Sequence, residues 1–122
     1  MPSERATVAG VIYNRLQNHM RLDIDATVQY AVGAWRPLTA ADLMSDSPYN
    51  TRRFPGLPPG PIASPGLASL QAAAHPRRSK FLYYVARDDG TDRHYFATTI
   101  KQFEALKAKG RANAAARTPA AP

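Results

Sequence analysis

Apolar residues recur at helical spacing near the start of the chain, which predicts a helix over residues 3–19. Four of them share one face of that helix: Val8, Val11, Ile12 and Leu16. Arg15 falls in the middle of this face, so its side chain either extends past the core to solvent or is held by a carboxylate. Asp23 and Asp25, which follow the next turn, are the nearest candidates for that carboxylate.

Start and stop signals delimit two short helices in the next part of the chain. Asp25 has the form of an N-cap and Gly33 is a typical C-terminal stop, which predicts a brief helix between them. Thr39 and Asp42 have the spacing of a capping box. That box predicts a helix of one to two turns that ends near Met44.

The second half of the chain predicts two further helices. The first is rich in alanine, spans residues 67–75 and is stopped by Pro76. Its predicted apolar face consists of Leu67, Leu70 and Ala74. A capping box at residues 99–102 opens the last helix, which we expect to end at Gly110. Residues 111–122 are then expected to form a disordered basic tail rich in Ala and Pro.

Two runs of aromatic and β-branched residues flank an Asp-Gly pair between those helices. Residues 80–87 and 92–97 therefore predict a β-hairpin. Helices and a hairpin follow one another without βαβ alternation, so the predicted class is α+β. We expect short helices around the hairpin, with one long loop rich in proline and glycine.

That loop spans residues 47–66 and holds six of the eleven prolines and three of the seven glycines. Proline restricts φ and glycine permits positive φ, so the backbone is stiff except at a few turns. We expect an ordered functional loop, because Leu57, Ile62 and Leu67 give it apolar side chains to bury. Ser64 is expected to cap the helix that follows. A proline-rich linker is the alternative.

Composition restricts the function classes. The chain has 122 residues, 44% of them apolar, and no run approaches the ~18 residues of a membrane span, which indicates one small globular domain. Cysteine is absent and the three histidines lack paired spacing, which argues against a metal site and thiol chemistry. The net charge of +7 favours a negatively charged partner, but no nucleic-acid-binding module is present.

Six segments together resemble one protein family in order and spacing. They are Glu4-Arg5, Val8-Ala-Gly-Val-Ile-Tyr-Asn-Arg-Leu16, Asp25-Ala-Thr-Val-Gln-Tyr30, Ser47-Pro-Tyr-Asn-Thr51, Gly56-Leu-Pro-Pro-Gly-Pro-Ile62 and Ser64-Pro-Gly66. The resemblance extends from Ser3 to about Leu106 and is to the catalytic domain of the endolytic murein transglycosylases, the MltG or YceG-like family. It implies that residues 1–110 form part of that domain, without its N-terminal portion.

The resemblance implies cleavage of peptidoglycan between N-acetylmuramic acid and N-acetylglucosamine, without water, to leave a 1,6-anhydromuramyl end. It implies no cofactor, with peptidoglycan strands and other cell-wall synthesis proteins as partners. It also implies a place on the extracytoplasmic face of the cell membrane, through an N-terminal helix that this sequence lacks. Similar sequences are often labelled aminodeoxychorismate lyase, an activity that needs a lysine bound to pyridoxal phosphate. No phosphate-cradling glycine loop is present to accompany one.

The family's chemistry depends on a glutamic acid that protonates the glycosidic oxygen and then accepts the proton of the attacking 6-hydroxyl. The resemblance puts that residue a few positions before Glu4, upstream of Met1. Glu4 is a poor substitute, because the first turn of a helix stabilises a charged carboxylate, and Glu104 is expected on an exposed basic helix. We therefore expect no catalytic residue in this sequence. Met1 is either an internal methionine of a longer protein or the start of an inactive truncation.

Substrate binding is expected from side chains that can contact a sugar, namely Gln29, Tyr30, Tyr49, Asn50 and Thr51. Structural support is expected from Arg15, Asp25, Pro58, Pro59, Gly60 and Ser64. For Asn50 the alternative is an Asx-turn within the loop, and for Asp25 it is substrate contact. The predicted function is part of a transglycosylase, and the alternative is a non-catalytic glycan-binding domain.

Overall fold

The computed structural model describes residues 2–117, with side chains from residue 4 onward. These residues form α1 (Pro2–Gln17), α2 (Asp25–Val32), α3 (Ala40–Leu43), α4 (Leu67–Ala74), β1 (Tyr83–Ala86), β2 (His94–Ala97) and α5 (Ile100–Arg117). Helices beside an antiparallel hairpin confirm the predicted α+β class. Among the described residues, no helix is both long enough and apolar enough to cross a bilayer.

The chain divides into two compact units. The first unit consists of the described residues of Met1–Asn14 and Leu67–Pro122, and the second unit consists of Arg15–Gly66. Apolar side chains are buried in both: Val11 and Ala97 in the first unit, Leu22 and Val28 in the second. The first unit therefore contains the hairpin, α4 and α5, and the second contains α2, α3 and the loop rich in proline and glycine.

The hairpin and α5 pack together in the first unit. β1 and β2 pair antiparallel, with Tyr83 opposite Ala97. The Phe103 ring of α5 stacks on Tyr83 at a centroid distance of 5.0 Å, which gives the helix an aromatic contact with the sheet. The predicted capping box is present at the start of α5. Thr99 Oγ1 accepts a hydrogen bond from Gln102 N, and Gln102 Oε1 accepts one from Thr99 N.

The predicted helix stop at Gly110 is wrong, because α5 continues through it to Arg117. Gly110 is buried, and a Cβ atom there would lie 2.9 Å from the carbonyl oxygen of Ala86. This glycine therefore lets α5 approach β1 closely, and the alanines that follow favour continued helix. Residues 111–117, which the sequence assigns to a disordered tail, are helical; residues 118–122 lie outside the described residues.

The apolar face predicted for α4 is also wrong. Leu67 and Leu70 are 71% and 53% exposed, and Leu57 in the preceding loop is 69% exposed. The contact of α4 with α1 is instead a hydrogen bond that Tyr13 Oη donates to Ala73 O at 2.9 Å. The pattern of leucines alone therefore does not reveal how α4 is held in the fold.

α2 ends as predicted but begins differently. Gly33 adopts a left-handed conformation at φ 75° and terminates the helix. Ile24 is the N-cap and Asp25 is the first helical residue, so the predicted capping by Asp25 is wrong. The Asp25 carboxylate instead accepts a hydrogen bond from Arg52 Nε at 2.8 Å. The partner of the Asp25 carboxylate is therefore an arginine of the loop, which local capping rules do not predict.

The carboxylate that holds Arg15 is Asp23 and not Asp25. Arg15 Nη1 lies 3.7 Å from Asp23 Oδ2 and donates a hydrogen bond to the carbonyl oxygen of Arg21 at 2.7 Å. The Arg15 side chain is only 12% exposed, so it does not simply extend to solvent. The sequence leaves open whether Arg15 extends to solvent or is held by a carboxylate, and the structure shows that a carboxylate holds it.

The capping box predicted at α3 is present. Thr39 Oγ1 accepts a hydrogen bond from Asp42 N at 3.1 Å, and Asp42 Oδ2 accepts one from Thr39 N at 2.9 Å. Arg36 Nη1 also donates to Asp42 Oδ2 at 2.6 Å. The hydrogen bond from Arg36, followed by the one from the Thr39 backbone, lowers the pKa of Asp42 to about 2. Asp42 therefore stays ionised at any physiological pH.

Gly10 in α1 should not tolerate a side chain. A Cβ atom there would overlap the carbonyl oxygen of Arg77. The backbone of Arg77 is held against α1, because its N–H donates a hydrogen bond to Ala6 O at 2.9 Å. We expect Gly10→Ala to lower the free energy of unfolding by about 1–3 kcal/mol, because overpacking against backbone outweighs the better helix propensity of alanine. Gly66→Ala is the matched control, since a Cβ at Gly66 meets nothing within 4 Å. Urea unfolding followed by circular dichroism measures both, and equal stability of the two variants would contradict this packing.

Candidate functional site

The start of the proline-rich loop is a hydrogen-bonded turn. Ser47 Oγ accepts a hydrogen bond from Tyr49 N at 3.2 Å, and Ser47 O accepts one from Asn50 N at 3.0 Å. The carbonyl oxygen of Asn50 in turn accepts from Arg53 N and Phe54 N. These bonds give residues 47–54 a defined conformation, which is what a flexible linker lacks.

Asn50 is fully buried, and all of its amide atoms are hydrogen-bonded. Its Nδ2 donates to the carbonyl oxygens of Leu43 and Ser45 at 3.0 Å each, and its Oδ1 accepts from Arg52 N at 3.0 Å. The last of these bonds is the Asx-turn that the sequence offers as the alternative to sugar contact. The predicted saccharide contact of Asn50 stays a prediction, and its observed bonds are those of a structural residue.

Thr51 lies in a buried hydroxyl network. Its Oγ1 is 2.8 Å from Thr27 Oγ1 and accepts a hydrogen bond from Ile24 N at 3.0 Å. Its carbonyl oxygen accepts from Asp23 N at 3.1 Å. Thr51 is 1% exposed and Thr27 is 3% exposed. The network therefore ties the loop to the start of α2 without presenting either hydroxyl to solvent.

Three of the predicted sugar-binding residues keep part of their side chains accessible. Tyr30 is 42% exposed and packs against the half-buried Tyr49 with ring centroids 4.8 Å apart, tilted by 49°. Gln29 is partly exposed and donates its Nε2 to Arg36 O at 3.0 Å, which leaves Oε1 without a partner among the described residues. We call Tyr30 and Tyr49 the tyrosine pair. It offers aromatic surface of the kind that packs on the apolar face of a pyranose ring.

The proline segment adjoins the tyrosine pair. A Cβ atom at Gly60 would lie 3.1 Å from Tyr49 Oη, so glycine allows the loop to approach that hydroxyl. Pro58 is half-buried and Pro59 is exposed. Ser64 is exposed and makes no side-chain hydrogen bond in the described part of the chain, and α4 begins only at Leu67, so the predicted helix cap at Ser64 is wrong.

A cavity of about 400 Å³ lies separately in the first unit. Its lining is mostly apolar and comes from α1, α4 and the hairpin: Glu4, Arg5, Val8, Ala9, Ile12, Ser69, Ala72, Ala73, Asp92 and His94. Glu4 Oε1 accepts a hydrogen bond from His94 N at 3.0 Å and lies 3.2 Å from His94 Nδ1. Sequence reasoning missed this pair, because nothing local links residues 90 positions apart.

The described residues contain two glutamates and no metal centre. Glu4 is bound by His94, whereas Glu104 is exposed on α5 and has no partner within residues 4–117. The second unit contains no glutamate at all. Within the same described range, no three His, Asp or Glu side chains come together to hold a metal ion.

Comparison with known proteins identifies one family. The sequence model of the YceG-like family matches residues 1–109. The chain is 42% identical over 108 residues to the endolytic murein transglycosylase of Bacillus subtilis strain 168, a match that covers 88% of this chain and 29% of that protein. It is 37% identical over 89 residues to the endolytic murein transglycosylase of Streptococcus pneumoniae strain D39, covering 68% of this chain and 16% of that protein.

A solved structure has a similar fold. The crystal structure of a YceG-like protein from Listeria monocytogenes superposes with a TM-score of 0.79 at 44% identity, over 83% of this chain and 33% of that one. The present chain thus spans about a third or less of the length of the relatives it matches.

Removal of the Asn50 amide should destabilise the second unit. Asn50→Ala leaves two carbonyl oxygens and one N–H without their partners, and each buried unpaired group costs about 1–3 kcal/mol. We expect the free energy of unfolding to fall by at least about 2 kcal/mol. Ser64→Ala, on an exposed side chain of the same loop, should change it by less than about 0.5 kcal/mol. Denaturant unfolding measures both, and a neutral Asn50→Ala would show that these bonds are dispensable.

Proposed function

Since the chain belongs to the YceG-like family, we propose that it is part of an endolytic peptidoglycan lytic transglycosylase. The reaction would cleave the bond between N-acetylmuramic acid and N-acetylglucosamine and leave a 1,6-anhydromuramyl end. The observation that carries the proposal is the 42% identity to an endolytic murein transglycosylase over 88% of this chain. The proposed substrate also locates the protein in the cell envelope, on the outer side of the cell membrane.

The proposed reaction needs one carboxyl group in two roles. As a general acid it gives its proton to the glycosidic oxygen, and as a base it then accepts the proton of the muramyl 6-hydroxyl, which attacks C1 in place of water. Glu4 fits this task poorly, because its carboxylate already accepts the backbone N–H of His94. Glu104 fits it no better, because it is exposed to solvent. We therefore assign the general acid to the part of the longer protein that precedes the position of Glu4.

The tyrosine pair is our proposed saccharide contact. Tyr30 and Tyr49 together provide an aromatic surface for a pyranose ring, and Gln29 Oε1 can accept a hydrogen bond from a sugar hydroxyl. Asn50 and Thr51 fit a supporting role better, because their polar atoms are buried and already bonded. Gly60 and the prolines beside it would hold the Tyr49 hydroxyl in place.

A non-catalytic glycan-binding domain is the second candidate. The lack of any glutamate in the second unit favours it, because that unit carries the proposed saccharide contact and has no carboxyl of the required type. The two candidates differ in one measurable property. A transglycosylase fragment regains turnover when the missing catalytic segment is supplied, whereas a pure binding domain does not.

Turnover should depend on a segment outside this sequence. We expect the 122-residue chain to release no anhydromuropeptides from purified sacculi, as measured by mass spectrometry. A chimera in which the preceding part of the Bacillus subtilis relative is joined to this chain should release them, because the chain is 42% identical to the part it replaces. Release by the chain alone would overturn our assignment of the acid. An inactive but folded chimera that still binds sacculi would favour the glycan-binding domain, with the intact relative as the positive control.

Loss of the aromatic surface should weaken that chimera. We expect Tyr30→Ala and Tyr49→Ala to lower kcat/KM at least about tenfold each, which corresponds to about 1.4 kcal/mol of lost transition-state binding. Tyr13→Ala is the matched control, because Tyr13 is 44% exposed, close to the 42% of Tyr30, but belongs to the first unit. Unfolding curves identify variants that lose activity only by losing structure. Equal effects at Tyr13 and Tyr30 would contradict the proposed saccharide contact.

A further inference from the structure

The positive charge is concentrated in the first unit. That unit has eleven Lys and Arg against five Asp and Glu, a net charge of +6, whereas the second has five against four, a net charge of +1. Four of the five arginines in the second unit are paired with aspartates: Arg15, Arg36, Arg52 and Arg53. Among the described residues of the first unit, no lysine or arginine forms an ion pair with a carboxylate. No carboxylate of the described residues therefore competes with an external anion at ion-pair distance from these cations.

Two of these cations lie over the Tyr95 ring and a third binds the adjoining hairpin turn, where the hairpin packs against α5. The Arg87 guanidinium carbon lies 5.0 Å from the Tyr95 ring centroid, and Lys109 Nζ lies 5.2 Å from it. Arg117 Nη1 donates a hydrogen bond to Asp88 O at 3.0 Å, next to Arg87 in the chain. We call Arg87, Lys109 and Arg117 the Tyr95 cluster.

Hydrogen bonds hold the frame of the Tyr95 cluster. Asn113 Nδ2 donates to Arg87 O at 2.9 Å and to Tyr95 Oη at 3.0 Å, which joins α5 to β2 and to the residue that follows β1. Arg87 Nε donates to His94 O at 3.3 Å, which fixes the Arg87 side chain as far as Nε. Lys109 and Arg117 are exposed. Fixed stems lower the entropy that the side chains lose when they bind an anion.

The acidic residues near the Tyr95 cluster are too few to neutralise its positive charge. Asp88 and Asp89 lie in the same hairpin turn, but neither is within ion-pair distance of the three cations. Asp89 is engaged by Thr91, whose side chain and backbone lower the pKa of Asp89, with Arg87 a smaller cause. Asp92 lines the separate cavity of the first unit. Three cations therefore outnumber the two acids of the turn.

We propose that the Tyr95 cluster binds carboxylate groups of the peptide stems carried by peptidoglycan strands. A guanidinium pairs with a carboxylate through two parallel hydrogen bonds, and an ammonium adds a point charge beside it. This inference rests on the proposed function, because that function supplies a polymer with many carboxylates. Binding there holds the polymer by its stems, through residues other than those of the tyrosine pair.

Co-sedimentation with sacculi tests the Tyr95 cluster directly. We expect the triple variant R87Q/K109Q/R117Q to bind at least tenfold more weakly than the unchanged chain. The control R78Q/K80Q/K101Q removes the same charge from exposed side chains of the same unit that make no described contact, and should bind within threefold. The variant R87K/K109R/R117K keeps the charge and should retain binding. Thermal unfolding verifies that each variant is folded. If the control variant loses as much sacculus binding as the triple variant, net charge alone explains the loss and the proposed site is wrong.

Chemical modification of the polymer identifies the ligand. Amidation of the stem carboxylates should abolish the part of the binding that depends on the Tyr95 cluster, and raised salt should weaken it. Soluble poly-glutamate should compete for the Tyr95 cluster even if the proposed glycan function is wrong. This experiment therefore tests the carboxylate site separately from the proposed transglycosylase function. Unchanged binding to amidated sacculi would overturn the carboxylate assignment. Cluster-dependent binding that is tighter to anionic lipid vesicles or to single-stranded DNA than to sacculi would also overturn it.

Discussion

A hydrogen bond between two buried hydroxyls, Thr27 Oγ1 and Thr51 Oγ1 at 2.8 Å, is the constraint on which the second unit depends. Buried hydroxyls are costly unless they are paired, and this contact pairs a hydroxyl of the loop with a hydroxyl of α2. Thr27 Oγ1 also bonds Ile24 O, and Thr51 Oγ1 accepts from Ile24 N, so the same pair determines where α2 begins. A loop rich in proline and glycine thereby becomes part of the core of the unit. This explains why residues 47–54 are ordered although they contain neither helix nor strand.

Local signals predicted the parts of the fold that depend on neighbouring residues. The capping boxes at Thr39 and Thr99, the helix end at Gly33 and the hairpin all involve residues close in sequence, so their patterns are visible in it. Gly110 was predicted to be a helix stop because glycine usually is one, but its role is set by a carbonyl of β1, 24 positions earlier in the chain. That contact has no local signature.

The choice of charged partners also lay beyond the sequence. Asp23 and Asp25 were equal candidates for Arg15, and only the folded turn gives Asp23 to Arg15 and Asp25 to Arg52. The same limit of sequence-based prediction applies to the candidate site. The sequence assigns several side chains to sugar binding, but in the structure they differ in solvent exposure. Asn50 and Thr51 are buried, whereas Tyr30 beside the same network is 42% exposed. Residue type predicts which side chains can contact a sugar, and only folding decides which of them reach the surface.

The motifs that carry the family resemblance therefore have two physical origins. Thr51 and Thr27 pair with each other and Asn50 bonds backbone groups, so a chain with this turn needs them whatever it binds. Tyr30 differs from them, because it is 42% exposed and its side chain makes no hydrogen bond within the described residues. A resemblance built from buried residues supports a shared fold, and only residues that keep accessible surface bear on a shared substrate. The tyrosine pair is for this reason the part of the resemblance from which a saccharide function can be argued.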